Sequence, residues 1–223
     1  MKITSHGFAV LDDSKDALLS RYCENSGTLI HDAGIAVHYL PLIKAGDVCI
    51  DAGAAIGDHT VAYIQKAGDP KLVHAFECNP LMVECLMHNC PQAYIHPFAL
   101  SDRHERLWFH HLNENAGASY VDGNEHEGIQ VEAVTLDSYE LPKVDFIKWD
   151  LEGYETKGIR GASKTILRCR PVMMIEVIEA QLNRAGSSVP ELLALLKELR
   201  YQYRAVIGEL GVPPYFELQC NPL

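Results

Sequence analysis

The chain reads as an α/β protein built on a doubly wound sheet, mostly parallel and ending in an antiparallel hairpin. Three observations predict this. From about residue 46 onward, short apolar runs alternate with helical segments, the pattern of a parallel sheet with right-handed crossovers. One apolar run, Val48-Cys49-Ile50, enters the turn Asp51-Ala52-Gly53-Ala54-Ala55-Ile56-Gly57, which opens a helix. The last two apolar runs are joined by about seven residues, whereas a parallel crossover needs a dozen or more, so they pair antiparallel.

At 223 residues the chain fits one large domain, residues 46–223, preceded by an extension, residues 1–45, that packs on it and on its acceptor side. In the extension, Asp12-Asp13 can cap a helix from Ser14 to Tyr22, and His38 to Ile43 is a short apolar segment. Val48–Ile50 is then a strand and Thr60–Lys66 a helix stopped by Gly68. Leu72–Phe76 is a strand ending at Glu77, and Pro80–Asn89 a helix with proline in its first turn. Ala93–Phe98 is a third strand. Leu107–His111 and Ile129–Val134 form a hairpin-like pair around the Gly/Asn-rich segment Asn113–Gly128. Val144–Trp149 is a strand, Thr156–Leu167 a helix and Val172–Val177 a strand. Pro190–Leu199 is an amphipathic helix carrying Leu192, Leu193, Leu195, Leu196 and Leu199. The closing strands are Tyr203–Ile207 and Tyr215–Cys220, separated by Gly208-Glu209-Leu210-Gly211.

A net charge of −11, with no Lys/Arg cluster, argues against a nucleic-acid duplex as partner. No apolar run approaches the roughly 18 residues of a membrane span, and the N-terminus lacks a secretory core. Seven cysteines without a CxxC pair suit a reducing compartment, so the expected location is cytoplasmic. His104, His110 and His111 lie in polar, loop-like sequence and read as solvated surface rather than a metal site.

The glycine turn is where chemistry begins. Gly53 and Gly57 permit positive φ and close backbone approach to a ligand. Such a turn opens both dinucleotide-binding and S-adenosylmethionine-binding domains. Ala55 stands where GxGxxG needs its second glycine, and Asp51 at the strand mouth suits a cationic amino group better than a pyrophosphate. Glu77 ends the second strand, where an acid accepts from the hydroxyls of a nucleoside ribose. Cys78-Asn79 would flank the adenine, and Ser101-Asp102 would bond its exocyclic amine. A buried strand then delivers Lys148, Asp150, Glu152 and Glu155 to the carboxyl edge of the sheet, with Glu176 nearby on the next strand. Helix capping would also use such charges.

These segments resemble the FkbM family of S-adenosylmethionine-dependent methyltransferases. The matching stretches are Gly46–Thr60, His74–Pro80, Ala99–Asp102, Thr135–Tyr139, Val144–Glu155 and Arg170–Val177, in order and with family-like spacing from about residue 29. Cys78 stands where the family usually has proline, and the C-terminal half lacks a long insertion. The resemblance implies a Rossmann-like sheet of the class I methyltransferase type and an enzyme that methylates a hydroxyl of a sugar, glycoconjugate or secondary metabolite. It implies S-adenosylmethionine as cofactor, S-adenosylhomocysteine as product, and Asp51, Gly53, Ala54, Ile56, Gly57, His59, Thr60, Glu77, Cys78, Asn79, Ser101 and Asp102 around the cofactor.

Asp150 and Glu152 are the candidate bases, with His59 a third, while Lys148 holds a ligand carboxylate or pairs with Asp150. A divalent cation on Asp150, Glu152 and Glu176 is the less favoured alternative. The rivals are a nicotinamide oxidoreductase, a nucleic-acid or protein methyltransferase and a non-catalytic S-adenosylmethionine-binding module. Gly158, four residues after Tyr154, breaks the Tyr-x-x-x-Lys pair that the first needs, and no basic channel supports the second. The Lys148–Glu155 cluster favours an enzyme over the third. Nothing in the sequence chooses between monomer and homodimer.

Overall fold

The computed structural model describes residues 1–30, 33–123, 128–207 and 216–223. The chain starts with a hairpin of Lys2–Ile3 (β1) and Ala9–Val10 (β2), then two helices, Leu19–Ser26 (α1) and Ala33–Tyr39 (α2). The alternation begins at Cys49–Ala52 (β3) and runs through Asp58–Ala67 (α3), Val73–Phe76 (β4), Pro80–Asn89 (α4) and Tyr94–His96 (β5). Ala99–Leu100 (β6), Glu105–His110 (β7), Tyr120–Asp122 (β8) and Ile129–Val134 (β9) follow with no α-helix between them among the described residues. The sequence then returns to alternation with Phe146–Trp149 (β10), Glu155–Arg160 (α5), Ser163–Cys169 (α6), Val172–Val177 (β11), Glu179–Arg184 (α7) and Val189–Glu198 (α8). It closes with Tyr201–Ile207 (β12) and Phe216–Pro222 (β13).

Seven strands make the main sheet, in the order β12-β13-β11-β10-β3-β4-β5. β5, β4, β3, β10 and β11 are parallel neighbours, while β13 pairs antiparallel with both β11 and β12. The order reverses between β3 and β10, and ligands of doubly wound sheets bind outside the carboxyl ends of strands at such a point. β3 and β10 are buried at every position, as strands covered by helices on both faces must be. On one face, Trp149, Ile175 and Leu218 pack with Leu192, Leu195 and Leu196 of α8. Each fully buried leucine there is worth about 1.5–3 kcal/mol of removed apolar surface. A four-stranded sheet, β6-β9-β7-β8, forms the second layer of strands.

The departures from the sequence reading have local causes. The first helix starts at Leu19 rather than Ser14, because Asp16 and not Asp12-Asp13 supplies the cap: its carboxylate accepts from the amides of Leu18, Leu19 and Ser20. The segment from His38 to Ile43 is the end of α2 and one 3-10 turn, Leu40–Leu42. Residues 156–167 do not form one helix. The chain breaks at Gly161, whose carbonyl accepts from the Asp137 amide at 2.9 Å, and a side chain there would collide with the Ser101 carbonyl. Asp137 in turn caps α6, accepting from the amides of Lys164 and Thr165 at 3.0 and 2.7 Å. The third strand stops at His96, where the chain turns (Phe98 N to His96 O, 2.9 Å) and β6 joins the smaller sheet. β8 and α7 lie in stretches too short for periodicity to reveal. The Gly208-Glu209-Leu210-Gly211 turn and Tyr215 lie outside the described residues.

Candidate active site

A cavity of about 260 Å³ opens at the carboxyl ends of β3, β4, β10 and β11. Its first wall is the turn between β3 and α3. Gly53 and Gly57 have φ of 90° and 94°, and Ala55 is also left-handed at 46°. Glycine adopts such angles without penalty, whereas alanine there costs on the order of 1 kcal/mol or more. Glu77 holds the strained turn: its carboxylate accepts from the Ala55 amide at 2.9 Å and the Asn79 amide at 2.6 Å. Burial outweighs these bonds and pushes the Glu77 carboxyl up to about 7.

The second wall carries the acids. β10 delivers Lys148, 1% exposed, whose ammonium pairs with Asp150. Burial works against the ammonium, but the carboxylates of Asp150, Glu217 and Glu176 outweigh it and hold Lys148 charged. Burial likewise works against the Asp150 carboxylate, and the Lys148 charge reverses that, so Asp150 lies below the usual carboxylate range. Glu152 is pushed the other way, up to about 9, by burial and by the charges of Asp150 and Glu155. Glu176 also rises, from burial first and then from Asp150. Two neighbouring acids thus favour different protonation states.

The backbone here is strained as well: Glu152 has φ of 54° and Gly153 of 107°. Glu155 accepts from the amides of Leu151 and Gly153, which closes this turn. From α7, Gln181 donates to the Glu152 carboxylate and Arg184 donates to the Glu152 carbonyl at 2.7 Å. One oxygen each of Asp150, Glu152 and Glu176 lies within 4.8 Å of the others, close enough to share one cation.

The remaining wall comes from outside the main sheet. Asn115 to Val121, with Phe109 of β7, line the cavity as well. Leu18 and Leu19 of the N-terminal segment join this wall, and Asp16 bonds the Ala116 amide at 3.3 Å. The Arg184 guanidinium stacks on Tyr120, 3.6 Å from the ring centroid, linking this wall to α7.

Of the sequence-predicted residues, the structure brings Gly53, His59, Glu77, Cys78, Asp150 and Glu152 together on the cavity wall, with Glu176 beside them. Others stand behind the wall. Asp51 is wholly buried and accepts from the Thr60 hydroxyl at 2.5 Å, so the pair anchors α3 to β3. Ala54 and Ile56 are core residues, and Gly57 faces Leu86 of α4 and Cys90 just after it, where its missing side chain lets the helix approach. Asn79 caps α4 by accepting from the Leu81 amide. Ser101 is buried and donates to Glu105 at 2.7 Å, and Asp102 is exposed, while Phe98, Ala99 and Leu100 occupy the wall in their place. Lys148 lies beneath Asp150 rather than on the surface of the cavity. Sequence reasoning missed Asp58, Phe98, Tyr120, Gln181 and Arg184. Asp58 sits inside the quoted glycine motif, whereas the others carry no motif of their own.

Residues 51–203 match the family model described as the methyltransferase FkbM domain. The chain belongs to the FkbM methyltransferase family. Its members transfer a methyl group from S-adenosylmethionine, and the carboxyl-edge cavity is where this FkbM domain would hold it. No curated protein matches the sequence significantly. Among solved structures, the FkbM methyltransferase from Methylobacillus flagellatus is similar at 16% identity and a TM-score of 0.56, over 78% of this chain and 43% of that one. A putative rRNA methylase from Clostridium thermocellum aligns at 11% identity and 0.54, over 84% and 93%. The magnesium protoporphyrin IX methyltransferase from Synechocystis, with S-adenosylmethionine bound, aligns at 12% and 0.52, over 98% and 88%. The chain therefore spans less than half the length of the Methylobacillus protein, and at these identities the likeness concerns the fold.

Proposed function

We propose that the chain is an S-adenosylmethionine-dependent O-methyltransferase acting on a hydroxyl of a sugar, glycoconjugate or secondary metabolite. The observation that carries this reading is the Lys148–Asp150 ion pair clustered with Glu152 and Glu176 at the carboxyl edge of an FkbM domain. Bound S-adenosylmethionine supplies a methyl group already activated on a sulfonium sulfur. The chain's own task is to align an acceptor oxygen and take its proton. Glu77 would accept from the ribose hydroxyls while keeping its grip on the Ala55 amide, and Phe98 to Leu100 with Cys78 would flank the adenine. Asp150 receives the acceptor proton, and Lys148 keeps it ionised until then. Glu152, protonated and held by Gln181, orients the acceptor.

The cavity wall also bears on the acceptor's charge. Asp58, Glu77, Asp150, Glu152 and Glu176 line it, and among the described lining residues there is no Lys or Arg. With no positive side chain to neutralise phosphates, such a wall suits a neutral acceptor better than a polyanion such as RNA. Residues 1–45 form the extension on the acceptor side, through Leu18 and Leu19. Among the described residues no helix is long and apolar enough to cross a membrane.

The test is incubation with S-adenosylmethionine and a panel of neutral sugars, glycoconjugates and metabolites, read by mass spectrometry. The expected result is a methylated hydroxyl together with S-adenosylhomocysteine. Methylation of RNA or protein with no methylated small hydroxyl in the panel would replace this reading.

A further inference from the structure

No residue of α7 lines the cavity, yet this helix holds one of the cavity's acids in place. Glu152 is a non-glycine residue at a φ of 54°, a conformation that persists only where its surroundings over-determine it. Glu155 closes the turn from within, and α7 grips it from outside. Gln181 donates to the Glu152 carboxylate. Arg184, three residues on and so on the same helix face, donates to the Glu152 carbonyl at 2.7 Å. Gly153 sits so close to α7 that a side chain on it would meet the Gln181 carbonyl oxygen at 2.4 Å. Leu182, fully buried in the main core, pins the helix itself.

Arg184 has a second partner. Its guanidinium lies 3.6 Å from the ring centroid of Tyr120, which lines the cavity from β8. Tyr120 also stacks on His110, its partner across the β7–β8 pair, with centroids 4.9 Å apart. β8 is an edge strand of the smaller sheet, and Arg184 ties that edge to the acid turn of the main sheet. A planar guanidinium can stack by its face and donate from its rim at once, which an ammonium cannot. Arg184 is exposed, so it fills no space in the core. What its two contacts fix is the spacing between two walls of the cavity.

We propose that Arg184 is a positioning residue for the acceptor: it sets Glu152 against the Tyr120 wall, and with that the placement of the acceptor hydroxyl beside Asp150. This rests on the methyltransferase reading above, in which Glu152 orients the acceptor. The cofactor, held at Gly53, Glu77 and Cys78, does not depend on this clamp.

The test joins hydrogen exchange on the unliganded protein to kinetics on the acceptor found in the panel of hydroxyl compounds. Arg184→Ala speeds amide exchange in residues 151–154 and in residues 118–121 alike. It lowers kcat/KM for the acceptor on the order of tenfold or more, since a misplacement of about 1 Å can cost 10²-fold. S-adenosylhomocysteine affinity stays within about twofold of the wild type. Arg184→Lys keeps a cation and a donor and regains part of the loss. Tyr120→Leu removes the stack, and its loss does not add to that of Arg184→Ala in the double variant. Faster exchange with unchanged acceptor kinetics, or equal weakening of acceptor and S-adenosylhomocysteine, means that Arg184 merely supports the fold. Additive losses mean that the walls are not joined through this stack. Each of these results overturns the proposal, and so does unchanged exchange in both segments, whatever the acceptor. Arg184→Ala decides the matter alone if Tyr120→Leu does not fold. A wild type that methylates nothing in the panel would instead overturn the methyltransferase reading.

Discussion

The two walls of the cavity are both strand-to-helix turns, yet they are built in opposite ways. At the β3 turn the polar side chains serve the turn itself: Asp51 accepts from the Thr60 hydroxyl, and Glu77, on the cavity wall, holds the Ala55 and Asn79 amides. At the β10 turn the carboxylates of Asp150 and Glu152 face the cavity, while Glu155, behind them, closes the turn. Both turns hold a non-glycine residue at positive φ, Ala55 in one and Glu152 in the other. The difference teaches that one motif-rich turn presents backbone to a ligand and the other presents charge. Side chains that look alike in sequence, such as Asp51 and Asp150, consequently have unlike roles.

The comparison breaks most visibly at Gly53. Any side chain at this φ of 90° would run into the Asp150 carbonyl, so the two turns touch through this residue. Gly53→Val is expected to cost on the order of 4 kcal/mol or more and to remove the cooperative thermal transition along with cofactor binding. A well-folded Gly53→Val protein would show that the turns are not in contact.

Next come the charges of the second wall. Asp150→Asn should lower the methylation rate by about 10²–10⁴ with only a few-fold change in S-adenosylhomocysteine affinity. Glu152→Gln should cost less, because the glutamate is already protonated near neutral pH. Rate and calorimetric measurements on the same samples separate the two effects. Abolition of the wild-type reaction by a chelator, with restoration by Mg²⁺, would make these acids metal ligands rather than bases.

On the first wall, Glu77→Ala removes two bonds to amides as well as the proposed ribose contact. S-adenosylhomocysteine affinity should fall by at least about tenfold, with a lowered melting temperature that Asp150→Asn does not share. Calorimetry and a thermal melt check this pair of outcomes.

Asp51 sharpens the contrast through pH. Its carboxyl moves from 3.8 to about 7, chiefly through burial. The folded state therefore binds the proton more tightly, and the ionised group costs stability that grows as pH rises from about 4 to about 7. Below that window the cost is absent. Asp51→Asn should flatten the fall of stability across it, as read from denaturant midpoints at pH 5 and pH 8. An unchanged slope would show that Asp51 is not the group responsible. The smallest effect is expected at Asp102: exposed and off the wall, it should become alanine with no change in S-adenosylhomocysteine affinity.

Much of this was legible in the chain itself. The Val48–Thr60 motif, Glu77 at a strand end, the Pro80–Asn89 helix and the antiparallel closing pair all follow from local patterns: alternation, capping and connection length. The acids after Trp149 were legible as a cluster because a buried strand has few other reasons to end in so many charges. What local pattern could not contain was direction. Asp51, Thr60, Asn79 and Ser101 lie within the motifs, but each turned to a partner inside the protein, Asp51 and Thr60 to one another, Asn79 to the Leu81 amide and Ser101 to Glu105, and Gly57 to α4 across the fold.

The alternation of apolar runs and the glycine turn by themselves determined the doubly wound sheet and the edge at which chemistry sits. Only the tertiary structure decided which acid stays ionised, because Lys148, Glu176 and Glu217 come from three different strands and their fields meet only when β10, β11 and β13 are side by side. Periodicity is a property of neighbours along the chain, and charge balance is a property of neighbours across it.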